Sequence, residues 1–279
     1  MTHGMTTNLW KEVNYNAPID YIIDGGIIEY DISKANISIL YEAGHLTQSE
    51  YLYYFNAPKE EREVAIGKRI CRNNELSDIL KQGIEDARCS LFQILSLDQT
   101  NVLAIKNDAV FVIKNGIVDY PDTIQISPHI AFKHKGEYRS FYRFKHKQLF
   151  YTINPIMNTE GMSIKGLGDY AINLHSNYLI SWFMYVFRIA IISGSKAALA
   201  ECDRFMKLYI NRELPIEYYR RFDSAAMYDF RVEFSPWSQF SADFLTEGMA
   251  EKSISIDYNL DIISSLARMY INEIIKGSN

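Results

Sequence analysis

The chain has little that crosslinks, little that matches a common catalytic motif and no long uninterrupted apolar run. Its 279 residues include three cysteines, Cys71, Cys89 and Cys202. An odd number without paired spacing argues against a disulfide framework or a zinc site and fits reduced thiols in a cytosolic protein. The histidines, His3, His45, His129, His134, His146 and His175, lack the spacing of a metal-ligating motif. Neither a G-x-x-x-x-G-K-[ST] loop nor a G-x-S-x-G elbow is present. The most lipid-like run, "YLISWFMYVFRIAIISG" from Tyr178, is interrupted by Arg188 and is short for a span, so it reads as a buried helix. The opening "MTHGMTTNLWKEVNYN" is polar and has no apolar signal core. A soluble, cytoplasmic protein is expected, in the host cytoplasm if the source is viral, with no membrane partner.

A hydrophobic content of 48% against 23% charged residues is enough to bury a core, in one large domain or two small ones. The net charge of −5 argues against nonspecific coating of nucleic acid, but it leaves room for a local basic face. No repeat or low-complexity linker interrupts the chain.

"IDYIIDGGIIEYDI" presents two β-rich runs around Gly25-Gly26, a hairpin signal. "SKANISILYEAG" then reads as a short helix stopped at Gly44. Thr47 and Glu50 have capping-box spacing for a helix to Phe55, Pro58 opens another, and Asn74 to Leu95 gives a longer amphipathic one. "NVLAIKNDAVFVIKNG" predicts two strands around a turn at Asn107-Asp108. Strand-like sequence continues to about Thr152, and from Gly168 the pattern is mainly helical. The expected class is α+β.

Asp31 and Asp108 each interrupt β-branched and aromatic residues. Taken singly, Asp31 reads as a cap for the helix near Ser33, and Asp108 as an ordinary hairpin turn residue. If their strands are neighbours, both carboxylates reach one sheet edge, where they repel unless a cation lies between them. Mg²⁺ suits such a site, because it takes oxygen ligands and completes its shell from water and substrate phosphates.

Around these acids the sequence resembles the palm of family B DNA polymerases. The first palm motif, D-x-x-S-L-Y-P-S-I, is similar to Asp31-Ile32-Ser33-Lys34-Ala35-Asn36-Ile37-Ser38-Ile39. The first Asp, the later Ser and the Ile coincide, but the Ser-Leu-Tyr-Pro core does not. Asn36 stands where the family has the tyrosine that excludes ribose. The later motif, Y-G-D-T-D-S followed by V-F-V, is similar to Ala104-Ile105-Lys106-Asn107-Asp108-Ala109-Val110-Phe111-Val112. Here Asp108 matches the second aspartate and Lys106 replaces the first. The resemblance implies catalysis by Asp31 and Asp108, with Mg²⁺ or Mn²⁺ held by these acids and by Ile32. It extends thinly over residues 20 to 220, through "MSIKGLGDY" as a palm-to-thumb junction and "FMKLYINRELPIEYY" as part of a thumb.

Domains 1–166, palm-like with reduced fingers at about 45–97, and 167–279, helical and thumb-like, follow from that likeness. Family fingers carry a K-x-x-x-N-S-x-Y-G motif. Here the interval offers Lys59, Arg62, Lys68, Arg69, Arg72 and Asn73 as candidate triphosphate ligands with Asn36, although a solvated helix face would also explain the cations. A basic, aromatic-interleaved run, "KHKGEYRSFYRFKHK", supplies Lys133, Lys135, Arg139, Arg143, Lys145 and Lys147 as nucleic-acid contacts, joined by Lys106 and Lys165. An exposed charged hairpin is the alternative for that run. No exonuclease domain is found before the palm-like part. The expectation is a DNA polymerase that is minimal and phage-type, or one piece of a split enzyme whose partner subunit carries fingers and exonuclease. Its ligands would be primer-template DNA and nucleoside triphosphate. A catalytically silent palm-like binding module and a different metal-dependent phosphoryl-transfer enzyme stay open.

Overall fold

A computed structural model describes residues 9–144 except 13, 115, 117 and 118, and then 147–153, 162–165, 177–215, 218 and 256–278. The chain divides into two compact units, residues 1–19 with 25–138 and residues 20–24 with 139–279. Helices and antiparallel sheets make the protein α+β. The division at 166/167 expected from sequence falls inside the second unit. Strand-like sequence runs on past Tyr138 without a break in composition, but its strands enter a different sheet.

The first unit has a five-stranded sheet in the order β3-β4-β2-β6-β5, formed by β2 (Ile27–Ile32), β3 (Val102–Lys106), β4 (Ala109–Ile113), β5 (Thr123–Gln125) and β6 (Ala131–Tyr138). β2 lies centrally, antiparallel to β4 and β6, and five of its six residues are buried. Alternation along the strands sends Ile28, Tyr30, Ile32, Val110, Val112 and Phe132 into one core cluster. Glu29 and Asp31 therefore belong to the other face.

Four helices follow β2: α1 (Ala35–Glu42), α2 (Gln48–Asn56), α3 (Lys59–Arg72) and α4 (Asn74–Ile94). Gly44, at φ 77°, follows α1 in a conformation that favours glycine. Thr47 and Glu50 form the expected capping box. α1 and α4 approach so closely that a Cβ on Gly83 would stand 2.3 Å from Ile39 Cγ2, so the position requires glycine.

The second unit has a sheet in the order β1-β7-β8-β9, from β1 (Tyr21–Ile22), β7 (Ser140–Phe144), β8 (Lys147–Ile153) and β9 (Met162–Lys165). Its helices are α5 (Asn177–Ser193), α6 (Ser195–Ile210) and α7 (Ile256–Lys276). Their core includes Trp182, Phe183, Phe187, Phe205 and Tyr270, with Trp182 and Phe205 stacked at 3.8 Å. Among the described residues no helix is long and apolar enough to cross a membrane.

The Gly25-Gly26 hairpin does not form. β1 pairs with β7, and both edges of β2 are taken by β4 and β6. Positive φ in this stretch falls on Asp24, at 52°, rather than on either glycine.

Candidate functional site

Register brings the two acids together. Asp31 on β2 is opposite Ala109 on β4, and Asp108 is the residue just before Ala109, in the two-residue turn from β3. Asn107, at φ 53°, takes the left-handed position of that turn, which asparagine tolerates better than most residues. The Asp31 and Asp108 carboxyls lie within hydrogen-bonding reach of each other. Burial, and then the charge and hydrogen bond of Asp108, push the Asp31 carboxyl up to about 6, while Lys135 pulls it down. Asp31 does not cap α1. That helix starts after Lys34, whose left-handed backbone (φ 54°) makes no side-chain cap bond.

A cavity of about 480 Å³ opens at the pair. Ile32, Ser33, the first turn of α1 (Ala35 to Ile37) and Lys135 line it, together with one face of α3 formed by Lys59, Arg62, Glu63 and Ile66. First-turn amides of a helix have no intrahelical acceptors, so α1 offers N–H groups and the positive end of its dipole here. Lys34 also lines the cavity. Its ammonium lies over the Phe55 ring, 3.3 Å from the centroid, and donates to the Phe55 carbonyl. Burial, Arg62 and Lys133 hold its pKa below the ordinary lysine value. The cavity therefore brings Asp31 and Asp108 together with Lys34, Lys59, Arg62 and Lys135, and with a third acid, Glu63.

Lys135 reaches the acids through a β-bulge. Glu29 is opposite Gly136 and Tyr30 is opposite His134, which leaves Lys135 as the extra residue. Its Nζ lies 3.9 Å from Asp31 Oδ2. Lys106, expected as a nucleic-acid contact, has its Nζ 5.7 Å from the Phe111 centroid.

Of the proposed triphosphate ligands, Asn36, Lys59 and Arg62 line the cavity, and Lys68, Arg69, Arg72 and Asn73 do not. Arg69 bonds Glu50 at 2.9 Å, and Asn73 caps α4 by accepting from Glu75 N–H at 3.0 Å. Lys59 also pairs with Glu63 at 3.6 Å. The basic run 133–147 is not one hairpin: Lys133 and Lys135 are on β6 of the first unit, while Arg139 pairs with Asp24, and Arg143 is on β7, in the second. Lys145, part of the junction "MSIKGLGDY" and part of the thumb-like "FMKLYINRELPIEYY" lie outside the described residues, as do the side chains of Lys147 and Lys165.

Sequence reasoning gave no role to Lys34, Glu63 or Arg88. Arg88 carried the clearest signal, a lone arginine on the apolar face of α4 with Leu80, Ala87 and Leu91.

The family model described as Bacteriophage PBS1 gene 130 protein matches residues 5–272. The chain belongs to this family. A family named for a phage protein agrees with the phage-type source expected from the compact sequence. No curated protein matches the chain.

Two carboxyls set side by side are hard oxygen donors of the kind a divalent cation takes, so Asp31 and Asp108 are of the right type for Mg²⁺ or Mn²⁺. Among the described residues no group of three or more His, Cys, Asp or Glu side chains is placed to hold a metal. The rest of the shell would come from backbone, water and a bound phosphate.

Proposed function

We propose that the protein is a DNA polymerase, or the palm-and-thumb subunit of one, acting on a primer-template in the cytoplasm of the host cell. The observation that carries this reading is the meeting of Asp31 and Asp108 in a cavity also lined by Lys34, Lys59, Arg62, Lys135 and the first turn of α1. The two carboxylates and the Ile32 backbone would hold the divalent ions. Bound there, the ions would supply Lewis acidity while a primer 3′-hydroxyl attacks the α-phosphorus of a nucleoside triphosphate and pyrophosphate leaves. The α1 amides, Lys34, Lys59 and Arg62 bind and orient the triphosphate, and Asn36 stands beside its sugar. Lys135 screens the acid pair before substrate arrives, and Lys133 is next to it on β6 for a nucleic-acid phosphate. A partner subunit would supply longer fingers and an exonuclease.

Primer extension with Mg²⁺, deoxynucleotide and primer-template is the test. Asp31→Asn and Asp108→Asn should each lower incorporation by about a thousandfold or more while the protein stays folded, because an amide keeps the volume and loses the charge. Incorporation retained in both variants would sink the reading.

One observation favours a second reading. The 3.9 Å approach of Lys135 to Asp31 partly compensates the pair from within, as a catalytically silent nucleic-acid-binding module would need. DNA binding that persists in the Asp31→Asn, Asp108→Asn double variant, with no incorporation by the wild type, would select it.

A further inference from the structure

Arg88 is 2% exposed, and its guanidinium lies under the turn that carries Asp108. Nη1 donates to the Asn107 carbonyl at 3.3 Å and to the Glu12 carbonyl at 2.9 Å. The second carbonyl belongs to a segment held from both ends. Leu9 is buried and Trp10 packs edge-on against Phe92 at 6.1 Å. Farther on, Tyr15 accepts from Ile105 N–H at 2.9 Å, and Ala17 N–H donates to Leu103 at 3.1 Å.

The Asn107 carbonyl and the Asp108 N–H belong to one planar peptide unit. Holding that oxygen fixes the plane, and with it the direction in which the Asp108 side chain leaves the backbone. The two-residue turn is closed by the Lys106–Ala109 pair, and Arg88 ties it to α4. Removing a guanidinium from water is costly, and a packed apolar side chain often serves a purely structural position better. We propose that Arg88 is a positioning residue for the acid pair, clamping the Asn107–Asp108 turn to the N-terminal segment so that the Asp108 carboxyl meets Asp31 at the cavity. This inference rests on the metal-binding reading of the pair.

The test compares the wild type with Arg88→Met and Arg88→Lys as full chains. Mn²⁺ affinity is read by electron paramagnetic resonance, incorporation by primer extension and folding by circular dichroism. Arg88→Met should weaken Mn²⁺ binding about 10- to 100-fold, as loss of a supporting residue behind a metal ligand does. It should lower kcat and leave the KM for nucleotide within about twofold, since the cavity's cationic side chains are untouched. Arg88→Lys, which keeps a charged donor, should recover part of both losses. A folded Arg88→Met with wild-type Mn²⁺ affinity and kcat overturns the inference and leaves the proposed function standing. A wild type that takes up no Mn²⁺ at the acids overturns both. If neither variant folds, the wild type still decides by nuclear magnetic resonance. The Arg88 Nε signal should move during a Mg²⁺ titration with the midpoint of metal binding, and a signal that stays put overturns the inference.

Discussion

The two units fill their interiors differently. Among the described residues, Glu29, Ser38, Arg88 and Asn101 are buried polar side chains of the first unit, and Ser140 is the one in the second. The second unit's core cluster is built instead from aromatic and aliphatic side chains with one thiol, Cys202, which burial pushes up to about 12. Buried polar groups are costly unless paired, and the unit that keeps more of them is also the one that carries the acid pair and its cavity. The first unit is therefore where substitution should trade stability against chemistry, and the second where it should cost stability alone.

The largest effect on stability is expected in the second unit. Phe187 is 1% exposed between Tyr142 and Phe183, and Phe187→Ala should lose about 3–5 kcal/mol in denaturant unfolding. A loss below about 1 kcal/mol would mean that this core is not packed as described.

In the first unit the sign reverses. Asp31 is raised from 3.8 to about 6 in the folded protein, so the native state holds that proton more tightly than the unfolded chain. Without metal, its ionisation lowers stability as pH rises from about 4 to 6 and adds nothing further above. Asp31→Asn should accordingly be stabilising above pH 6 by up to about 3 kcal/mol, a gain that fades towards pH 4. Thermal melts at pH 4 and pH 7.5 in chelator check this. An equal shift at both would show that burial and Asp108 do not raise the Asp31 carboxyl in the folded protein.

The smallest effect concerns an exposed device at the start of α2. Thr47→Ala removes an acceptor for the Glu50 N–H and half of the capping box, and should cost about 1 kcal/mol at any pH above the carboxylate range. A neutral result would mark α2 as held by packing rather than by its cap.

What sequence revealed, and what it hid, follows the range of each interaction. The capping box at Thr47, the stop at Gly44 and the β3–β4 turn depend on neighbours a few residues away, and all were legible. The meeting of Asp31 with Asp108 was expected from their matching strand contexts, although a separation of 77 positions fixes nothing by itself. Gly25-Gly26 misled because strand pairing is a tertiary outcome, and β2 found better partners on both edges. The run from Lys133 to Lys147 looked continuous because composition does not record a change of sheet at Arg139. Lys135 beside Asp31 depends on a bulge, and Lys34 in the cavity on a left-handed backbone, neither of which leaves a pattern in the residues.

The central claim, that Asp31 and Asp108 together form a divalent-cation site, is tested most directly by Mn²⁺ titration at pH 7.5. The wild type should bind Mn²⁺ and melt at a higher temperature as it saturates. The Asp31→Asn, Asp108→Asn double variant should melt at the same temperature with and without the ion. Equal Mn²⁺ affinity and an equal rise in melting temperature in both proteins would contradict the claim.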